Sequence, residues 1–282
     1  MSFDRASLQR AVRSACELDV TALKPGNVSI DAPGYGMTAA DFLASAEAIA
    51  GPITMPGLSV GARIFTAIEA TQKVVNCNTN LGIVLLLAPI IQAAEASQNF
   101  ASVQPELQRV LNGLTIDDAQ WAYRAIRLAK PGGMGKRAEH DITEVPRVTL
   151  VTAMQEAADH DQIAQLYSTG FRTLFELALP VWRNAMQCWN SPIWATAAVF
   201  LKLLEVQPDS LITRKFGRAK SEAVSSAAKL HRAALEAAAD PRSLRDDFLN
   251  WDATLKSGGL NPGTTADMTV ATVFLAHLQD MR

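Results

Sequence analysis

The chain has 282 residues, 49% of them hydrophobic and 19% charged, a balance that excludes a disordered or fibrous protein and leaves room for a sizeable core. Its 26 lysines and arginines face 28 acids for a net charge of −2, so the overall balance makes no electrostatic case for nucleic acid or an anionic membrane as partner. Cys16, Cys77 and Cys188 are an odd number, far apart and without metal-ligand spacing, which argues against a disulfide framework or a zinc site.

The opening residues, MSFDRASLQR, mix charges early and lack an apolar stretch with a small-residue cleavage site, and predict a cytoplasmic protein. The longest apolar run, 81–94, contains Pro89 and falls short of the ~20 residues that span a bilayer, so it reads as a buried helix.

Alanine, leucine, glutamate, glutamine and arginine dominate and β-branched alternation is scarce, which predicts an all-α fold. A first helix over about 5–23 carries Leu8, Val12, Ala15, Leu18 and Ala22 at three- and four-residue spacing, and Pro25-Gly26 stops it. A loop at 28–38 with two glycines and a proline precedes helices expected at about 39–50, 58–75, 79–97, 105–112 and 117–129. Thr115 and Asp118 have the spacing of a capping box.

A second glycine-rich interruption, 130–144, is followed by helical patterns at about 150–158, 161–189, 193–204, 211–239 and 244–256. The third, SGGLNPGTT at 257–265, precedes a closing helix over 266–279. No low-complexity linker, charge run or repeat divides the chain, so the expectation is one helical domain, 1–282, whose glycine-rich loops at helix ends form a cleft.

Lys24-Pro25-Gly26-Asn27 places an ammonium, a rigid turn and an amide in one loop that can grip a phosphate; a plain helix stop with an exposed lysine is the alternative. Asn76, Asn78, Thr79 and Asn80 crowd the start of the apolar helix, where free N–H groups attract phosphate oxygens, although a single one of them would suffice as a cap. The acid-free stretch 121–138 carries Arg124, Arg127, Lys130, Lys136 and Arg137 and suits a polyphosphate, without matching either the GxxxxGK[ST] or the GxGxxG pattern. A second acid-free stretch, 213–221, presents Arg214, Lys215, Arg218 and Lys220. Asp19, Asp41, Asp141, Asp161 and Asp267 follow or interrupt these loops and are oxygen-ligand candidates for Mg²⁺, with Asp267, expected in the first turn after NPGTT, the strongest. The four histidines lack ligand spacing, no GxSxG elbow is present, and Trp182, Trp189 and Trp194 read as packing anchors.

Taken in order, four of these segments resemble the triphosphoribosyl-dephospho-CoA synthase (CitG-like) family over nearly the whole chain. Lys24 to Ser29 resembles its KPGLVD-type loop, Phe42 to Ala46 its FLxSA-type helix, Asn78 to Gly82 its NTHKG-type signature, and Asn261 to Met268 its C-terminal SPGGSADLLA-type signature. Asn80 and Leu81 stand where that signature has His and Lys, and APGYGMT at 32–38 replaces a GAHxDMD-type loop. The segments NTNLGIVLLLAPI, KPGGMGKRAEHD and DSLITRKFG look like a branch found in archaea and methylotrophic bacteria beside one-carbon cofactor pathways.

The resemblance implies an all-helical, ATP-dependent transferase in which the ribose 2′-hydroxyl of dephospho-CoA, or of a related small acceptor, attacks C1 of the ATP ribose and adenine leaves. Together with the residues singled out above, it leads to Asp267, Asp141 and Lys24 as the expected catalytic residues and Lys24, Arg214 and Lys215 as the expected phosphate ligands. Asn27, Asn78, Thr79, Asn80 and Thr264 would orient the nucleotide, and Asp161 and Asp267 would hold Mg²⁺. The expected partners are the nucleotide and its acceptor, with no nucleic acid and no membrane, and a homodimer is left open. Other readings keep the scaffold for a different step of methanopterin- or methanofuran-type cofactor synthesis, or for nucleotide binding without turnover.

Overall fold

The computed structural model describes residues 3–132 and 142–281, and there the chain is helical with no strand. Fourteen α-helices follow one another among these residues: α1 (Arg5–Thr21), α2 (Ala39–Ile53), α3 (Val60–Val74), α4 (Leu81–Ala96), α5 (Phe100–Asn112), α6 (Ile116–Ala129), α7 (Leu150–Ala157), α8 (Gln162–Ser168), α9 (Leu179–Trp189), α10 (Pro192–Val206), α11 (Ser210–Phe216), α12 (Arg218–Ala237), α13 (Arg245–Ser257) and α14 (Gly263–Asp280). The all-α expectation holds. No single helix among the described residues is long and apolar enough to cross a membrane.

Two helices that are apolar or small on every side sit in the middle, as a helix without a polar face must. α4 is buried from Leu81 through Ile91, and α14 from Thr264 to Leu278 with only Asp267 and His277 less than fully covered. α14 packs on α4, α1, α9 and α10, and buried residues contributed by all fourteen helices form one contiguous apolar cluster. Each fully covered leucine, isoleucine or phenylalanine in it contributes about 1.5–3 kcal/mol relative to exposure.

Several helix limits differ from the sequence pattern. α5 starts at Phe100 rather than near Pro105, because Asn99 and Ser102 form a reciprocal cap. The pattern over 161–189 is broken: the chain reverses at Gly170 and Phe171, both at positive φ, passes through a π turn (Leu174–Ala178) and resumes as α9. Phe171 is fully buried against Tyr167, with ring centres 5.3 Å apart, so packing holds it in a conformation that its local sequence would avoid. The pattern over 211–239 splits at Gly217 into α11 and α12. α14 begins at Gly263, which moves Asp267 from the expected first turn into the second.

Candidate functional site

The loop after α1 is welded to the loop before α14. Gly26 takes φ +85°, and a Cβ there would fall 2.8 Å from both Leu260 O and Pro262 Cδ, so glycine is required for both reasons. Its N–H donates to Asp252 Oδ1 at 2.8 Å, while Asp252 Oδ2 accepts from Lys256 Nζ at 2.9 Å. Asn27 Nδ2 donates to Asn261 Oδ1 at 3.0 Å. The Tyr35 hydroxyl reaches Gly26 O at 2.7 Å. This closure turns Lys24 inward, fully buried, with Nζ 3.0 Å from Asp19 Oδ1 and donating to the Asp19 carbonyl. The alternative of a plain helix stop with an exposed lysine is therefore corrected: Lys24 is fully buried and paired with Asp19.

Four helix starts meet beside this pair. Asp161 caps α8 by accepting the N–H groups of Ile163 and Ala164 at 2.9 and 3.1 Å, and forms an ion pair with Arg214. Asp209, fully buried, caps α11 through Leu211 and Ile212, and its other oxygen accepts from Thr265 N and Thr265 Oγ1, both at 2.8 Å. Ser210 N donates to Gln162 Oε1 at 2.9 Å, and Ser210 Oγ bonds Thr264 Oγ1 at 3.0 Å. Finally, α4 lies so close to α14 that a Cβ on Gly82 would fall 2.0 Å from Asp267 Oδ2 and 2.8 Å from Ile163 Cδ1.

The result is four carboxylates, Asp19, Asp161, Asp209 and Asp267, against two cations, Lys24 and Arg214. Asp267 is pushed well above the ordinary carboxylate range, first by burial and then by the charges of Asp19, Asp209 and Asp161, with Lys24 opposing. Asp19 is also raised by burial, with Lys24 pulling it back. Asp209 is raised by burial against the bonds from Thr265 and the α11 amides. Burial, Asp19 and Asp267 push the Cys16 thiol far up, which makes it inert as a nucleophile. Asn27 Oδ1, Gln162 Nε2 and Arg214 Nε are buried with no hydrogen-bond partner among the described residues. Each such group costs about 1–3 kcal/mol unless water or a ligand meets it.

Comparison with known proteins decides the family. The model of the ATP:dephospho-CoA triphosphoribosyl transferase (CitG) family matches residues 5–282. The chain belongs to this family. A crystal structure from Archaeoglobus fulgidus, carrying the provisional name triphosphoribosyl-dephospho-CoA synthase, superposes with a TM-score of 0.66 at 21% identity, covering 86% of this chain and 99% of that one. At that identity it shows the shared fold. Among curated proteins nothing matches significantly. As a CitG-family member the chain is an ATP-using transferase, and the sequence resemblance is upheld.

Within the family signature, the side chains of the Asn78–Gly82 turn are consumed by the fold. Asn78 Oδ1 caps Leu81 N at 3.1 Å, Thr79 Oγ1 bonds Ser45 Oγ at 2.6 Å, and Asn80 exchanges bonds with Thr71. Leu81 is buried. What this turn contributes to the centre is the bare backbone at Gly82. Asp41 is a capping residue bonded to Thr38 at the start of α2. Asp141 lies outside the described residues. Among those described, no group of three or more His, Cys, Asp or Glu is arranged to hold a metal. Two surface grooves of about 560 and 580 Å³ lie elsewhere, one lined by Ser59, Arg109 and Asp118, the other by Phe65, Lys73 and Arg124.

Sequence reading missed Asp209, Asp252 and Gln162. Asp209 and Gln162 had a legible signal, since each stands at a helix start beside a segment already singled out. Asp252 sits mid-helix with none.

Proposed function

We propose that the chain transfers a triphosphoribosyl group from ATP to dephospho-CoA, with the reaction centred on Asp267 in a cleft formed by the glycine-rich loops. The 2′-hydroxyl oxygen of the acceptor ribose bonds to C1 of the ATP ribose. The C1–adenine bond breaks with its electron pair going to adenine, and the hydroxyl proton ends on the base. Adenine and triphosphoribosyl-dephospho-CoA are the products.

The single observation that carries this reading is the geometry of the centre, in which Asp267 lies against the bare backbone of Gly82 with Asp19, Asp161 and Asp209 around it and only Lys24 and Arg214 set against the four acids. Such a centre lacks positive charge, and the ribosyl carbon gains it as adenine departs. A carboxylate already fixed in place stabilises that charge without reorganisation. Lys24, 3.0 Å from Asp19, favours the ionised form of that acid against the effect of its burial. Arg214 and Lys215, at the end of α11, take the triphosphate, and Asn27, Gln162 and Thr264 orient the nucleotide. Hard carboxylate oxygens also suit Mg²⁺, which usually takes one or two carboxylates and completes its shell with substrate phosphates. Asp161 and Asp267 would hold it, and it would supply charge neutralisation of the triphosphate.

The test is to incubate the purified chain with ATP and dephospho-CoA, quantify adenine by chromatography and weigh the acceptor by mass spectrometry. One adenine per acceptor enlarged by a triphosphoribosyl group is expected. Release of ADP or AMP instead, or no adenine with this acceptor, overturns the reading.

A further inference from the structure

The basic stretch on α6 is not absorbed by the centre just described. Arg124, Arg127 and Lys130 recur every third residue and face Lys73 of α3 across the groove of about 580 Å³, whose walls also include Phe65, Gln72 and Leu128. One acid, Glu69, lines it, and Lys73 already engages that acid at 2.9 Å. Among the described residues no carboxylate pairs with Arg124, Arg127 or Lys130, although Arg127 Nη1 donates to the Ile142 carbonyl and would have to share or exchange that bond to meet a phosphate. Arg124 is held in place all the same: its guanidinium carbon lies 4.6 Å from the Phe65 ring centre and 4.4 Å from that of Trp121. A guanidinium pinned by aromatic rings keeps its N–H edge ready for a phosphate at little entropic cost.

The Lys130 end of the groove comes near the centre. Past Lys130 the chain reaches Gly132, where a Cβ would fall 3.2 Å from Lys215 Nζ. Lys215 adjoins Arg214, which is paired with Asp161 of the carboxylate cluster. A line of cations therefore runs from Arg124 through Arg127 and Lys130 to Lys215 and Arg214.

Resting on the transfer reading, the reaction needs two anionic nucleotides, and a centre rich in carboxylates repels the diphosphate of the second. That diphosphate has to be held at a distance while its ribose reaches inward. We propose that the groove between α3 and α6 binds the acceptor: Arg124, Arg127, Lys130 and Lys73 hold its diphosphate, and Phe65 and Leu128 lie under its apolar arm.

The test compares the intact chain with Arg124→Gln/Arg127→Gln, first confirming by circular dichroism melting that the variant folds. In steady-state kinetics the KM for dephospho-CoA rises at least ~10-fold while the KM for ATP stays within about twofold. Equal rises in both, or no change in either, overturn the groove assignment. Equilibrium binding of dephospho-CoA by calorimetry separates this from the parent reading. If the wild-type chain binds dephospho-CoA without releasing adenine from ATP and the variant loses that binding at least tenfold, the transfer reading falls and the groove stands. If the wild-type chain fails to bind dephospho-CoA, or the variant binds it equally well, the groove falls.

Discussion

Gly82 at the start of α4 and Asp267 in the second turn of α14 occupy so nearly the same space that a methyl group on Gly82 would stand 2.0 Å from Asp267 Oδ2. The carboxylate side chain lies on bare backbone, and this contact is what places Asp267 among Asp19, Asp161 and Asp209. Gly82→Ala must push either the carboxylate or a helix aside. Overpacking of this kind costs about 1–3 kcal/mol. Urea unfolding is expected to show that loss, and turnover is expected to fall with it even at temperatures where the variant is folded.

The raised pKa of Asp267 also predicts an unusual stability profile. The folded state holds a proton on this group at pH values where the unfolded chain, titrating near 3.8, has released it. Over that window the native state binds more protons than the unfolded state, so this group's contribution falls as pH rises. Asp267→Asn removes the penalty. Its Tm is expected to exceed that of the parent chain at pH 7–8 by about 2–4 °C for each kcal/mol relieved, and the gap should close toward pH 4.

Lys24 and Asp19 form a fully buried pair 3.0 Å apart. Lys24→Met leaves the Asp19 carboxylate without its cation and is expected to cost about 3–5 kcal/mol in denaturant unfolding. Adding Asp19→Asn should recover most of that loss, since two uncharged partners need no solvation. A double variant no more stable than Lys24→Met would show that the pair's coupling is not what Lys24 provides.

Arg214 and Asp161 behave differently, because about a quarter of each side chain is exposed. Ion pairs of that kind contribute roughly 0–1 kcal/mol. Arg214→Gln is therefore expected to leave the melting temperature nearly unchanged while raising the KM for ATP by about tenfold, the loss of one charged hydrogen bond to phosphate. A large fall in stability with unchanged KM would make Arg214 a structural residue.

Composition and periodicity were sufficient for the helical class, for the apolar helix at Leu81 and for the Thr115–Asp118 cap, because each is a local property. They failed where tertiary packing overrides local preference, as at Phe171, which is buried at positive φ in the middle of an otherwise helical pattern. The same holds at the site. Asp161, Asp267 and Thr264 were legible as polar residues near helix starts and Arg214 as part of an acid-free basic stretch, but which of them meet depends on four helix ends converging. An exposed Lys24 at a plain helix stop stayed open as an alternative because nothing in KPGN records that Gly26 is pulled onto Asp252 and Leu260, more than two hundred residues away. Asn78 is the cap, and Thr79 and Asn80 looked surplus to it because their partners Ser45 and Thr71 lie on other helices.

The most direct measurement is the turnover of Asp267→Asn alongside its affinity for ATP. If Asp267 meets the charge that develops on the ribose carbon, adenine release falls at least ~100-fold while the Kd for ATP moves little, because the interaction exists in the transition state alone. Turnover within a few-fold of the parent chain, or a loss matched by an equal loss of ATP binding, would contradict the placement of the reaction at this carboxylate.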